Sequence, residues 1–200
     1  MKAFQNFALF LILIVSNFSF AQKTGYTMLD GYPIYASRTL TQNIATTKNF
    51  KTFSMLLKAS EMESYTNGAE NFTFFIPSET AFEQMPSQVI SDLMKLENLD
   101  KLQKFVGGFI IKGKLTSKTL LGAVKTGNGK ATFKTISGSN LTLTSKLGYL
   151  VATDQNGINA TCIQSDIAQS NGILFVVDTV LMPKKGVEIS KENKITYSLN

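Results

Sequence analysis

Chemistry needs side chains that carry protons, hold metals or attack electrophiles, and this chain has few of them. Its 200 residues contain no histidine and one cysteine. Without imidazole, the usual zinc ligand, triad base and neutral-pH proton shuttle are missing. A thiolate at Cys162 would lack its customary base. Cys162 alternates with Ala160 and Ile158, which puts all three on one face of a strand and favours a buried small hydrophobe. Acidic residues number 14, and no Asp-x-Asn-x-Asp-Gly calcium loop occurs among them. Asp154-Gln155-Asn156-Gly157 matches half of such a loop, and a hairpin turn is the better reading. Asn128-Gly129-Lys130 is a turn with no helix after it to receive a phosphate. No carboxylate pair stands out as a glycosidase couple. The expectation is no enzyme, no catalytic residue, no metal and no cofactor.

Charge narrows the partners. The formal charge is +6, almost all of it from lysine, with Arg38 the single arginine. Nucleic-acid interfaces lean on arginine forks and clustered basic stripes. The lysines read as scattered, solvated surface, so no nucleic-acid partner is expected. A weak affinity for acidic polysaccharide or anionic cell surfaces stays open. Three Asn-x-Thr triplets, at Asn71, Asn140 and Asn159, read as coincidence in a threonine-rich sheet, with Asn140 the most exposed.

The elements that must position any site follow from periodicity. Residues 1–21 read as a signal peptide: Lys2, an apolar run over 7–15, and Ser19-Phe20-Ala21 before a cut at Gln22. The run is too short to span a bilayer, and no second apolar stretch is long enough. Secretion, periplasmic or to the cell surface, is the expectation, in a bacterial style. Residues 22–37 read as an irregular arm. Helical spacing begins with Leu40 and Ile44 and resumes with Phe50, Phe53 and Leu57. Asn67-Gly68 is a turn. Residues 72–76 are apolar without alternation, as in a strand covered on both faces. Ser78 caps a short helix that carries Ala81 and Phe82 inward. A second helix turns Ile90, Leu93 and Met94 inward. A third, capped by Asn98, buries Leu99, Leu102, Val106 and Phe109. Residues 117–121 make a single turn ended by Gly122. Beyond Ala123 threonines and alternation take over. Strands are predicted around Phe133, 141–144, 149–151 and 158–163, with turns at Gly138-Ser139 and Asn156-Gly157. Asn171-Gly172 launches an apolar strand over 173–177. Residues 184–200 are a polar tail or a last edge strand. Helices first and strands after predict an α+β domain over 38–183.

Two distant segments carry more specific information. FTFFIPSETAFEQMP, at 72–86, couples an apolar strand to a Pro-Ser stop. DIAQSNGILFVVDTVLMP, at 166–183, couples a turn, an apolar strand and Asp178. Together they resemble the two signature blocks of the fasciclin-like domain family. The resemblance spans roughly 40–183 and implies a single secreted domain, a β-sandwich-like core with N-terminal helices packed along its edge. It implies a non-enzymatic adhesion or extracellular-matrix-binding module, whose partner is a cell-surface protein or an extracellular polysaccharide. The alternative it allows is a carrier of an apolar small molecule, a lipid or carotenoid; fifteen phenylalanines and seven methionines would line such a site. By the resemblance, Asp166 and Ile167 match an Asp-Ile pair used in integrin recognition; the plainer alternative is that Asp166 sets a turn and Ile167 is core. The family's Tyr-His pair is replaced here by Gly108-Phe109, and Arg38 is followed by Thr39, so animal-type integrin contacts are not implied. Asp178 matches a family acidic position and is expected to accept backbone or hydroxyl donors.

Overall fold

The structure is a computed structural model that describes residues 25–67 and 70–182. The signal peptide expected over 1–21, Gly68 of the predicted turn, Pro183 and the tail at 184–200 lie outside the described residues.

The described residues open with a hairpin, β1 (Tyr26–Leu29) and β2 (Tyr32–Tyr35), in place of the irregular arm expected over 22–37. The reason is local. Asp30 and Gly31 take φ of 45° and 85°, the left-handed pair that a two-residue hairpin turn requires. Leu29 and Ile34 are buried beneath it. Helix α1 (Leu40–Ile44) follows, closed at its start by a Thr39–Gln42 capping box. A 3-10 turn (Lys48–Phe50) leads into α2 (Lys51–Ala59), then α3 (Glu63–Thr66).

Strand β3 (Phe72–Pro77) is buried at all six positions, as its lack of alternation predicts; the one hydroxyl in it, on Thr73, donates to the Gly113 carbonyl and accepts from the Leu115 amide. Ser78 then caps α4 (Glu79–Glu83), its hydroxyl accepting from the Ala81 amide, and Ala81 and Phe82 point inward. In α5 (Ser87–Leu93) the buried pair is Val89 and Leu93. Ile90 is half-buried and Met94 exposed, so the inward face is rotated from the expected one. Helix α6 (Leu99–Gly107) buries Leu102, Phe105 and Val106. Asn98 stands at its cap position, but its amide donates backwards to the Asp92 carbonyl at 2.7 Å. Phe109, just beyond α6, is fully buried, edge-on to Phe53 and Phe105.

Strand β4 (Ile110–Lys112) continues directly from α6. Helix α7 (Ser117–Thr126) runs three turns, through Gly122. Leu120 and Val124 bury one face of it, which outweighs the glycine on its solvent side. Strands β5 (Lys130–Lys134), β6 (Asn140–Lys146), β7 (Tyr149–Thr153), β8 (Asn159–Gln169) and β9 (Gly172–Val177) follow among the described residues.

The seven strands β3 to β9 form one sheet in the order β4-β3-β9-β8-β7-β6-β5. β3 and β9, the strands of the two segments singled out in the sequence, lie side by side and parallel, second and third in that order, with Phe75 stacked on Phe175. The other pairings are antiparallel. The sandwich-like core is this single sheet, curled until its ends meet. Ile111 of β4 bridges to Thr135 beyond β5, and the Ile136 amide donates to the Ile110 carbonyl at 2.9 Å. The fold is α+β, with the helices of the first half packed against an almost closed barrel. Across β5 to β8, Ala131, Leu143, Ala152 and Ala160 make one inward row; Thr132, Thr142, Thr153 and Asn159 make the neighbouring outward row.

Candidate partner-binding site

β8 cannot stay regular along its 11 residues. Its register against β9 slips between Cys162 and Gln164, and again between Gln164 and Ile167. A bulge of this kind re-aims side chains and interrupts pairing. Residues 163–166 are all exposed there. Asp166 takes φ 58°, the left-handed region that aspartate tolerates better than most residues. The expected turn at Asp166 is therefore a bulge inside a strand.

The Asp166 carboxylate reaches across to the first turn of α7. It accepts from the Ser117 amide at 2.7 Å and from the Ser117 hydroxyl. Thr116 caps the same helix end, and a carboxylate is favoured beside that positive end. Asp166 is thus exposed and held in one orientation. Ile167 is 1% exposed and pairs with Leu174 in the core. It anchors the bulge and presents no surface to a partner. The aliphatic side chain that this segment does expose is Ile163, 48% open to solvent. With Ala160 and Cys162 inward, strand alternation already put Ile163 outward.

Three further carboxylates tie distant backbone together. Asp178 accepts from the Thr161 amide at 2.7 Å and the Thr179 hydroxyl at 3.0 Å, the role expected of it. Asp154 accepts from the amides of Asn156 and Ile158 with one oxygen and from that of Met182 with the other. Glu79 accepts from the amide and hydroxyl of Thr52. Cys162 is 2% exposed; burial, reinforced by the charge of Asp178, pushes its thiol up to about 12. At neutral pH it is a protonated core side chain, not a nucleophile.

A wide cleft of about 520 Å³ opens between the end of α2, α6 and the β5–β6 hairpin. Glu61, Asp100, Gln103, Lys104 and Ser137 line it, with Met62 and Ile136 as its apolar part. A lipid or carotenoid site is enclosed and mainly apolar; this cleft is neither. Among the described residues no three cysteine or acidic side chains gather where a metal would sit, and no helix is long and apolar enough to cross a membrane.

Comparison with known proteins gives a consistent picture. The fasciclin domain model matches residues 48–183. Protein sll1483 of Synechocystis sp. is 28% identical over 148 residues, which cover 74% of this chain and 75% of that protein. Protein sll1735 of the same organism is 27% identical over 135 residues, 68% of this chain and 90% of the relative. Human periostin is 28% identical over 152 residues, which cover 74% of this chain and 16% of periostin. Among solved structures, a FAS1 domain pair from the insect cell adhesion molecule fasciclin I superposes with a TM-score of 0.64 at 16% identity, covering 72% of this chain and 51% of that one.

Proposed function

The chain belongs to the fasciclin domain family, and from that premise we propose that it is a secreted, non-enzymatic adhesion or matrix-binding module. Fasciclin domains are generally adhesion modules without enzymatic activity. The family match over 48–183 is the observation that carries the reading. The absence of histidine agrees with it, since imidazole is the commonest general base beside a nucleophile. The partner is a cell-surface protein or an extracellular polysaccharide.

The exposed bulge at 163–166 is the contact we assign first. Asp166 offers a fixed carboxylate and Ile163, three residues earlier in the same exposed segment, an aliphatic side chain, with Ile167 as the buried anchor.

The test is binding of the purified protein to cells and extracellular matrix of its source, compared with Asp166→Asn and Ile163→Gln. Asparagine keeps the left-handed backbone and removes the charge, and both variants are checked for an unchanged melting curve. Saturable binding that weakens about tenfold in either variant supports the assignment. Undiminished binding moves the contact off the bulge. Absence of saturable binding to both cells and matrix overturns the adhesion reading.

A further inference from the structure

Charge is divided unevenly between the two halves of the fold. Between Gly107 and Ser165 the chain carries seven lysines and a single acidic residue, Asp154. Asp154 is already committed to three backbone amides. Lys112 pairs with Glu70. In the sequence these lysines look dispersed, but the sheet register collects three of them. Lys130 and Lys134 flank Thr132 on β5, and all three face outward. Lys146, at the end of β6, lies diagonal to Lys130, because Thr144 is Lys130's direct partner. Tyr149, 58% exposed, is the cross-strand partner of Lys146. Between these residues lie the outward threonines, with the Thr132 and Thr142 hydroxyls 3.2 Å apart. No Asp or Glu belongs to this outward face of β5 to β7.

We infer that the outward face of β5–β7 is a binding surface for an acidic polysaccharide, a chain bearing carboxylate or sulfate groups. The charge is complementary. Lys130 and Lys134 sit about 13 Å apart along the strand, a spacing longer than one sugar residue that anionic groups a few sugars apart along the polymer can match. Threonine hydroxyls both donate and accept, which suits the hydroxyl-rich flanks of a sugar chain. Tyr149 provides a ring on which a sugar face can lie. A membrane is a poorer fit, since this face has no row of large apolar side chains to enter a bilayer. The inference rests on the adhesion reading for its extracellular polymer, but it uses a different face from the Asp166 bulge.

The experiment is affinity electrophoresis of the purified protein through gels containing polygalacturonate, dextran sulfate or neutral dextran. Lys130→Gln/Lys134→Gln/Lys146→Gln is compared with Lys48→Gln/Lys51→Gln/Lys58→Gln, which removes the same charge from the helical half. Retardation by one or both polyanions and not by dextran is expected. It should weaken about tenfold in the first triple variant, stay within about twofold in the second, and fall with added salt. Equal losses in the two variants would reduce the effect to net charge and overturn the inference. So would absence of retardation, or tighter binding to vesicles of anionic phospholipid than to either polymer. Asp166→Asn should leave retardation unchanged, so loss of polysaccharide binding with cell attachment intact would refute this surface alone.

Discussion

Four carboxylates, those of Glu79, Asp154, Asp166 and Asp178, accept from backbone amides far away in sequence. Asp178 is the clearest case. Its partner, the Thr161 amide, sits where β8 leaves β9 to pair with β7. Asp178→Ala should cost about 1–3 kcal/mol, which lowers the melting temperature by roughly 3–8 °C in a domain of this size; calorimetry of the two proteins decides it, and an unchanged transition would refute the role. Cys162, beside it, makes a pH-dependent prediction. Its thiol is held up at about 12 in the fold, against 9.0 for a free thiol. The folded state therefore keeps a proton that the unfolded chain releases, so its contribution to stability is complete below about pH 9 and is lost as pH rises toward about 12. Alkaline unfolding should be shallower in Cys162→Ala than in the parent, and iodoacetamide should label Cys162 only in denaturant. Labelling of the native protein at neutral pH would contradict this account. These roles were only partly legible in the sequence. Alternation located Cys162, the family blocks drew attention to Asp166 and Asp178, and Ile163 went unremarked although the same alternation puts it outward. The amides those carboxylates meet lie 49 and 17 residues away, and spacing carries no trace of that.

At the scale of elements, what could be read depended on whether local pattern and tertiary packing agreed. β3 and β9 are apolar at almost every position and end on sharp punctuation, so their burial was plain. β4 has three residues and follows α6 almost without a break, too little for any period to register. The β1–β2 hairpin was hidden because its outward face carries Tyr26, Met28 and Tyr35, which blur the alternation that Leu29 and Ile34 set. In α7, Gly122 looked like a terminator, yet Leu120 and Val124 pull the helix past it. That residue gives a prediction. Gly122 has ordinary helical backbone, and a Cβ there would meet nothing within 4 Å. Gly122→Ala should raise stability by about 0.5–1 kcal/mol, read as a higher urea midpoint at constant slope. Gly172 is the contrast. Its φ is 151°, and a Cβ would stand 1.9 Å from the Phe72 carbonyl oxygen, so alanine there should prise β3 from β9. A neutral or destabilising Gly122→Ala would mean that α7 is strained at its middle.

The whole molecule is held together by two devices of different kinds. The apolar one is the parallel pair β3–β9, whose phenylalanines face helices on one side and the barrel interior on the other. The polar one is a buried amide cluster that joins the beginning of the chain to its end. Asn171 accepts from the Leu40 amide at 2.9 Å and donates to the Thr66 carbonyl at 2.7 Å. Asn43 receives the Tyr35 amide, donates to the Tyr35 carbonyl, and donates to Gln169. Hairpin, α1, α3 and the β8–β9 turn thus share one network, and a buried amide group left without its partner costs far more than the bond itself gains. Asn171→Ala strands two such groups, the Leu40 amide and the Thr66 carbonyl. It should cost about 2–4 kcal/mol and lower the melting temperature by roughly 5–12 °C. The distinguishing feature is cooperativity. If the network makes hairpin, helices and sheet one unit, the variant unfolds in a single transition with an unchanged urea slope. Hydrogen exchange then accelerates as much in β3 and β9 as in β1 and β2. Exchange that rises in the hairpin and α1 alone would show the beginning of the chain to be a separate unit fastened onto the barrel.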